Sequence, residues 1–92
     1  MIQSFRHKGL QKYFEKGDVS KIQPTHRKKI RLILSLLNAV TEIRDMNFPG
    51  SNLHKLSGDF DNFWTVSVSG NWRIIFKFER EDAILVDYLD YH

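Results

Sequence analysis

The stretch FWTVSVSGNWRIIFKF, Phe63 to Phe78, constrains this chain more than any other. Its apolar residues recur at every second position, the period of a strand with one face on a core. Trp64, Val66 and Val68 share a face in the first half, and Trp72, Ile74, Phe76 and Phe78 share one in the second. The connection Ser69-Gly70-Asn71 supplies the glycine that a tight hairpin turn needs, so two antiparallel strands are expected. Arg73 falls on the face opposite Trp72 and Phe76 and is not required as a core partner. Glu79-Arg80-Glu81-Asp82 marks a further turn, followed by a strand from Ala83 to about Tyr91. Leu53 to Leu56, ahead of Ser57-Gly58, adds a candidate fourth strand.

The first half keeps a different period. Ile2 to Arg6 suits a short strand, and Leu10 to Lys16 a helix ended by Gly17, with Leu10, Tyr13 and Phe14 on one face. Pro24 suits the first turn of a second helix that runs to about Val40. Its apolar residues 30, 33, 34, 37 and 40 form one stripe, while Arg27, Arg31, Ser35 and Asn38 share the other face. Thr41 is placed to cap a further turn, Glu42-Ile43-Arg44, before the break at Pro49-Gly50. Helices first and a meander of strands afterwards predict an α+β domain over residues 1–92. Its expected form is a small antiparallel sheet with the two N-terminal helices packed on one face.

Several function classes drop out early. The chain has no cysteine, which removes disulfides, thiolate metal sites and cysteine nucleophiles. No apolar run approaches the ~20 residues that span a bilayer, and the first residues lack the apolar core of a secretory signal. A cytoplasmic protein without membrane contacts is expected. The net charge of +3 conceals a division: residues 1–31 carry nine Lys/Arg against Glu15 and Asp18, while residues 32–92 carry five against nine acids. His26, Arg27, Lys28 and Lys29 crowd the start of the second helix, where the helix dipole disfavours cations by ~0.3–1 kcal/mol each. A polyanion such as ribosomal RNA would supply the reason, with Arg27, Lys28 and Arg31 as its contacts. Solubility is the competing one.

The groups able to move protons gather late in the chain. Asp90, Tyr91 and His92 follow the apolar run 84–86, and an extended backbone would point Asp90 and His92 to one side and Tyr91 to the other. His54 and Lys55 precede the Ser57-Gly58 turn. No His-Glu-x-x-His pair, dense carboxylate cluster, glycine-rich phosphate loop or nucleophile elbow occurs, so no metal or other cofactor is expected. Trp64, Trp72 and Tyr88 are assigned to structure.

Four segments, FRHKGLQKYFEKG, TEIRDMNFPGSNLHKLSG, FWTVSVSGNWRIIFKF and VDYLDYH, occur in an order that resembles the HigB branch of the RelE/ParE toxin superfamily over nearly the whole chain. The most specific parts are Asn71-Trp72-Arg73-Ile74 and the terminal Asp90-Tyr91-His92. The resemblance implies a RelE-like microbial ribonuclease fold. It also implies a toxin of a type II toxin–antitoxin pair that cuts messenger RNA on the ribosome without a metal. The implied partners are a HigA-type helix-turn-helix antitoxin, the ribosome and its message, and operator DNA reached only through the antitoxin complex. His54, Arg73, Asp90, Tyr91 and His92 match positions that the family uses in RNA binding or cleavage. Ser57 stands where related toxins carry a lysine, which makes Lys55, two residues earlier, a candidate replacement. Two alternatives stay open: a ParE-like inhibitor of DNA gyrase, and a weakly active or non-catalytic nucleic-acid-binding member.

Overall fold

The computed structural model describes residues 1–91. Two helices, α1 (Lys8–Lys16) and α2 (Arg27–Ala39), precede four strands, β1 (His54–Lys55), β2 (Trp64–Ser69), β3 (Trp72–Glu79) and β4 (Asp82–Asp90). The strands form one antiparallel sheet in the order β1-β2-β3-β4. This is the expected α+β arrangement.

Each helix is stopped and started by local chemistry. Gly17, at φ 73°, ends α1 and returns its N–H to the carbonyls of Tyr13 and Lys12, which only a residue at ease in the left-handed region does cheaply. At the other end His7 caps the helix, its Nδ1 accepting the Leu10 N–H at 2.9 Å. Pro24 opens a 3₁₀ turn, Pro24–His26, rather than α2 itself, which begins three residues later than the proline suggests. The stripe of α2 is as expected: Ile30, Ile33, Leu34 and Leu37 are buried. They meet Leu10 and Tyr13 of α1 and Val66, Val68, Ile74, Phe76, Val86 and Tyr88 of the sheet in the main core. Each such fully buried aliphatic or aromatic side chain contributes ~1.5–3 kcal/mol relative to exposure.

Three features depart from simple alternation. Residues Ile2 to Arg6 form no regular strand. They run parallel to β4 through two isolated bridges, Ile2 to Ala83 and Phe5 to Val86. Thr41 does not cap: the next helical turn is a 3₁₀ segment, Ile43–Met46, with no side-chain cap. Most consequential is a bulge in β4. Ile75 pairs with Asp87 but Lys77 pairs with Ile84, so one residue too many stands opposite Phe76. Leu85 absorbs it at φ 55°, and the Ser4 hydroxyl accepts the Leu85 N–H at 2.9 Å. A bulge inverts the facing of every residue beyond it. Ala83 and then Val86 and Tyr88 therefore reach the main core, while Leu85, Leu89 and Tyr91 turn to the opposite face. That face holds its own small cluster, Leu56, Phe63 and Ile75, with Phe60 and Tyr91 against it.

Candidate functional site

The face of the sheet that the helices leave uncovered collects most of the expected site. On β3, Arg73 alternates with Trp72 and Ile74 and so shares this side with Ile75. Across the sheet Thr65 pairs with both Ile75 and His54, which carries His54 to the same side. Tyr91 joins them because of the Leu85 bulge; without it, residue 91 would keep the facing of Ala83 and point toward the helices. From strand spacing the Cα atoms of Arg73 and His54 stand about 12 Å apart.

The individual groups are oriented by backbone. Arg73 Nη1 donates to the Gly70 carbonyl at 2.7 Å, so the hairpin turn it follows also aims its guanidinium. The remaining N–H groups of that planar fork suit the oxygens of a phosphate. His54 Nδ1 lies 2.9 Å from the Asn52 carbonyl oxygen. A carbonyl only accepts, so Nδ1 carries the proton and Nε2 is the basic nitrogen of the neutral ring. Asn52 reaches this position in the left-handed region, at φ 48°. Tyr91 donates its N–H to the Asn71 carbonyl at 2.8 Å, and its ring meets Phe60 edge-on at 5.8 Å. Thus the turn that orients Arg73 also holds the end of β4.

Asp90 is placed differently. Its register partner is Trp72, whose ring stacks with Tyr88 at 4.8 Å and with His26 at 5.5 Å on the helix side. Asp90 therefore stands across the sheet from Tyr91, at the same end. His92 lies outside the described residues. Lys55 also takes the helix-side phase, opposite Trp64, with its ammonium 6.0 Å from the indole ring. It does not follow His54.

Two expectations about α2 change. His26 does not belong to the solvated basic cluster. It is 5% exposed, and its Nδ1 shares a 2.7 Å hydrogen bond with the Tyr88 hydroxyl. Burial pushes the Tyr88 phenol above its ordinary pKa, partly opposed by a bond from the Gln23 backbone. Arg27 does not share the free face with Arg31 either. Its Nε and Nη2 donate to the carbonyls of Ile22 and Val19 at 3.3 and 3.4 Å, pinning the connection that leads into α2. Asn38 is likewise engaged, accepting the Ile2 N–H at 2.9 Å. Replacing Lys28 and Arg31 by Gln should leave the melting temperature unchanged. Arg27→Gln should cost about 1 kcal/mol, since it strips two partly buried carbonyls of a charged donor. If these residues touch ribosomal RNA, the Lys28/Arg31 variant also flattens the salt dependence of ribosome binding by roughly one unit of slope per lost contact. An unchanged slope assigns this surface to solubility.

Sequence periodicity did not reveal Phe60, Arg6 or Lys77 as neighbours of the site. Arg6 and Lys77 both cover the Phe63 ring, at 5.7 and 5.3 Å from its centre.

Comparison with known proteins bears on this arrangement. Residues 3–92 match the family model of the HigB-like toxin, described as a RelE-like toxin of the type II toxin–antitoxin system HigB. A relative from Proteus vulgaris named Endoribonuclease HigB is 41% identical over 92 residues, spanning all of both chains. With the full-length relative and the family model in agreement, this chain belongs to the HigB-like toxin family of type II toxin–antitoxin systems.

Proposed function

We propose that this protein is the toxin of its pair and an endoribonuclease that cleaves messenger RNA held on the ribosome. The name of the Proteus vulgaris relative supports the ribonuclease reading. The observation that carries it is the gathering of His54, Arg73 and Tyr91 on the uncovered face of the sheet, each held by a backbone bond or a ring contact.

The chemistry follows from those groups. Cleavage by the neighbouring 2′-hydroxyl requires a base for that hydroxyl, a cation for the charge that builds on the phosphorus oxygens, and an acid for the departing 5′-oxygen. His54 Nε2 is the base, its ring fixed in the correct tautomer by Asn52. Arg73 clamps the phosphate oxygens and offsets the developing charge. His92 is the acid, with Asp90 supporting its charged form. Tyr91 provides a surface for stacking or a hydroxyl for the phosphate. No described helix is long and apolar enough to cross a membrane, and the reaction belongs in the cytoplasm with its ribosomes. A HigA-type helix-turn-helix antitoxin neutralises the toxin and brings operator DNA into the complex.

Inducing the protein in cells and mapping transcript ends tests this reading. New ends inside coding regions, absent with Arg73→Ala, are expected. Growth arrest with intact transcripts and inhibited DNA supercoiling would favour the gyrase-inhibiting alternative.

A further inference from the structure

The corner of the sheet where β2 begins and β3 ends carries cations that the cleavage roles do not use. Lys55 and Lys77 line one recess of about 240 Å³ together with Asn62, Trp64, Phe78 and Glu79. Lys55 lies over the Trp64 ring, and Lys77 and Arg6 both lie over the ring of Phe63. Among the described residues no carboxylate is within ion-pair distance of Lys55, Lys77 or Arg6; the ion pairs present join Met1 to Asp82 and Arg44 to Glu42. Glu79 shares the recess without neutralising either lysine.

This corner connects to the candidate cleavage centre. Phe63 meets Phe60 edge-on at 6.0 Å, and Phe60 meets Tyr91 at 5.8 Å. Ring contacts therefore run from the buried Phe63 beneath the cations, through half-buried Phe60, to half-buried Tyr91. Along β3, Lys77 is four residues from Arg73, about 13 Å in an extended strand. Cations along a line that ends at a phosphate clamp, with the half-buried rings of Trp64, Phe60 and Tyr91 beside them, suit single-stranded nucleic acid: charge for its backbone and flat surface for its bases.

We propose that Lys77 and Lys55, supported by Arg6, form a phosphate-binding subsite that holds the single-stranded message beside the cleavage centre. The subsite deepens the ribonuclease reading and rests on it for its substrate. Ser57 brings no charge to the cleavage face and Lys55 takes the helix-side phase, so Lys77, in phase with Arg73 on β3, is the cation this subsite brings to that side. Lys77 is a positioning residue here. Glu79 is expected to oppose it, since its carboxylate faces the same phosphate.

The double variant Lys55→Met/Lys77→Met separates charge from packing, because methionine retains an apolar stem over each ring. On programmed ribosomes, under single-turnover conditions, the toxin concentration for half-maximal cleavage should rise at least ~10-fold, and the saturated rate should change less. The salt dependence should flatten by ~1.4 in log–log slope, at ~0.7 per phosphate contact on a single strand. Lys77→Arg in the Lys55-containing chain should preserve binding, and Glu79→Gln should tighten it. Anisotropy of a labelled single-stranded oligoribonucleotide at low salt reads the same subsite without cleavage. If the wild-type protein fails to cleave, the ribonuclease reading falls and the oligonucleotide still tests these lysines. An unchanged half-saturation and salt slope in the double variant overturns the subsite. So does unchanged RNA binding with weakened neutralisation by the antitoxin, which would assign the corner to an acidic protein surface. A lowered melting temperature with RNA binding intact would assign the lysines to packing.

Discussion

Message held in a ribosome is expected to be cut faster than the same message free in solution by several orders of magnitude. The candidate groups lie on an open sheet face. His54 is exposed, and Arg73 is half-buried beside its own turn. Such a surface supplies acid, base and cation but little orientation. Fixing the 2′-hydroxyl in line with the departing oxygen is worth ~7–11 kcal/mol when supplied by another body, and the ribosome, which already grips the codon, is the body at hand. Single-turnover cleavage of one transcript, naked and then in a programmed ribosome, measures the difference. Equal rates would assign the orientation to the toxin alone and remove the need for a ribosome-assembled site.

The parts legible from sequence are those where one local rule decides. The α2 stripe at Ile30, Ile33, Leu34 and Leu37 is buried as its spacing predicts. The Gly17 stop stands as read, and so does the β2–β3 hairpin with Gly70 at φ 56°. Arg73 takes the face that alternation gives it. What was not legible depends on partners distant in the chain. The bulge at Leu85 sits where the register with β3 shifts between Ile75 and Lys77 and where the distant Ser4 hydroxyl accepts the Leu85 N–H, and nothing in Ile84-Leu85-Val86 announces a left-handed residue. Its effect reaches the site, since it places Tyr91 with Arg73 and Asp90 with Trp72. His26 looked cationic beside Arg27 and Lys28, yet its neighbour in space is Tyr88, 62 positions away.

Charge gives the same lesson. By sequence the positive charge belongs to residues 1–31 and the remainder is acidic. In three dimensions Arg6, from the first part, meets Lys77, from the second, over a single phenyl ring. The proposed RNA subsite is assembled from both, so a count along the chain points to α2 and overlooks the sheet. Of the five residues matched to the family's cleavage positions, the fold brings His54, Arg73 and Tyr91 to one face. Asp90 it places on the other side of the same sheet end.

His92→Ala should leave the domain folded and reduce message cleavage by ~10²–10⁴-fold, the usual contribution of a positioned acid or base. Folding should not suffer because β4 is fixed ahead of this residue. Val86 and Tyr88 are buried, Tyr88 is bonded to His26, and the Tyr91 N–H is held by Asn71. Activity should fall because the departing 5′-oxygen then lacks an imidazolium to protonate it. Its melting temperature should match that of the wild type, and Arg73→Ala, assayed beside it on programmed ribosomes, should also lose rate. Full cleavage by His92→Ala would leave His54 as the one imidazole in the reaction and give the proton of the departing oxygen to water or to Tyr91.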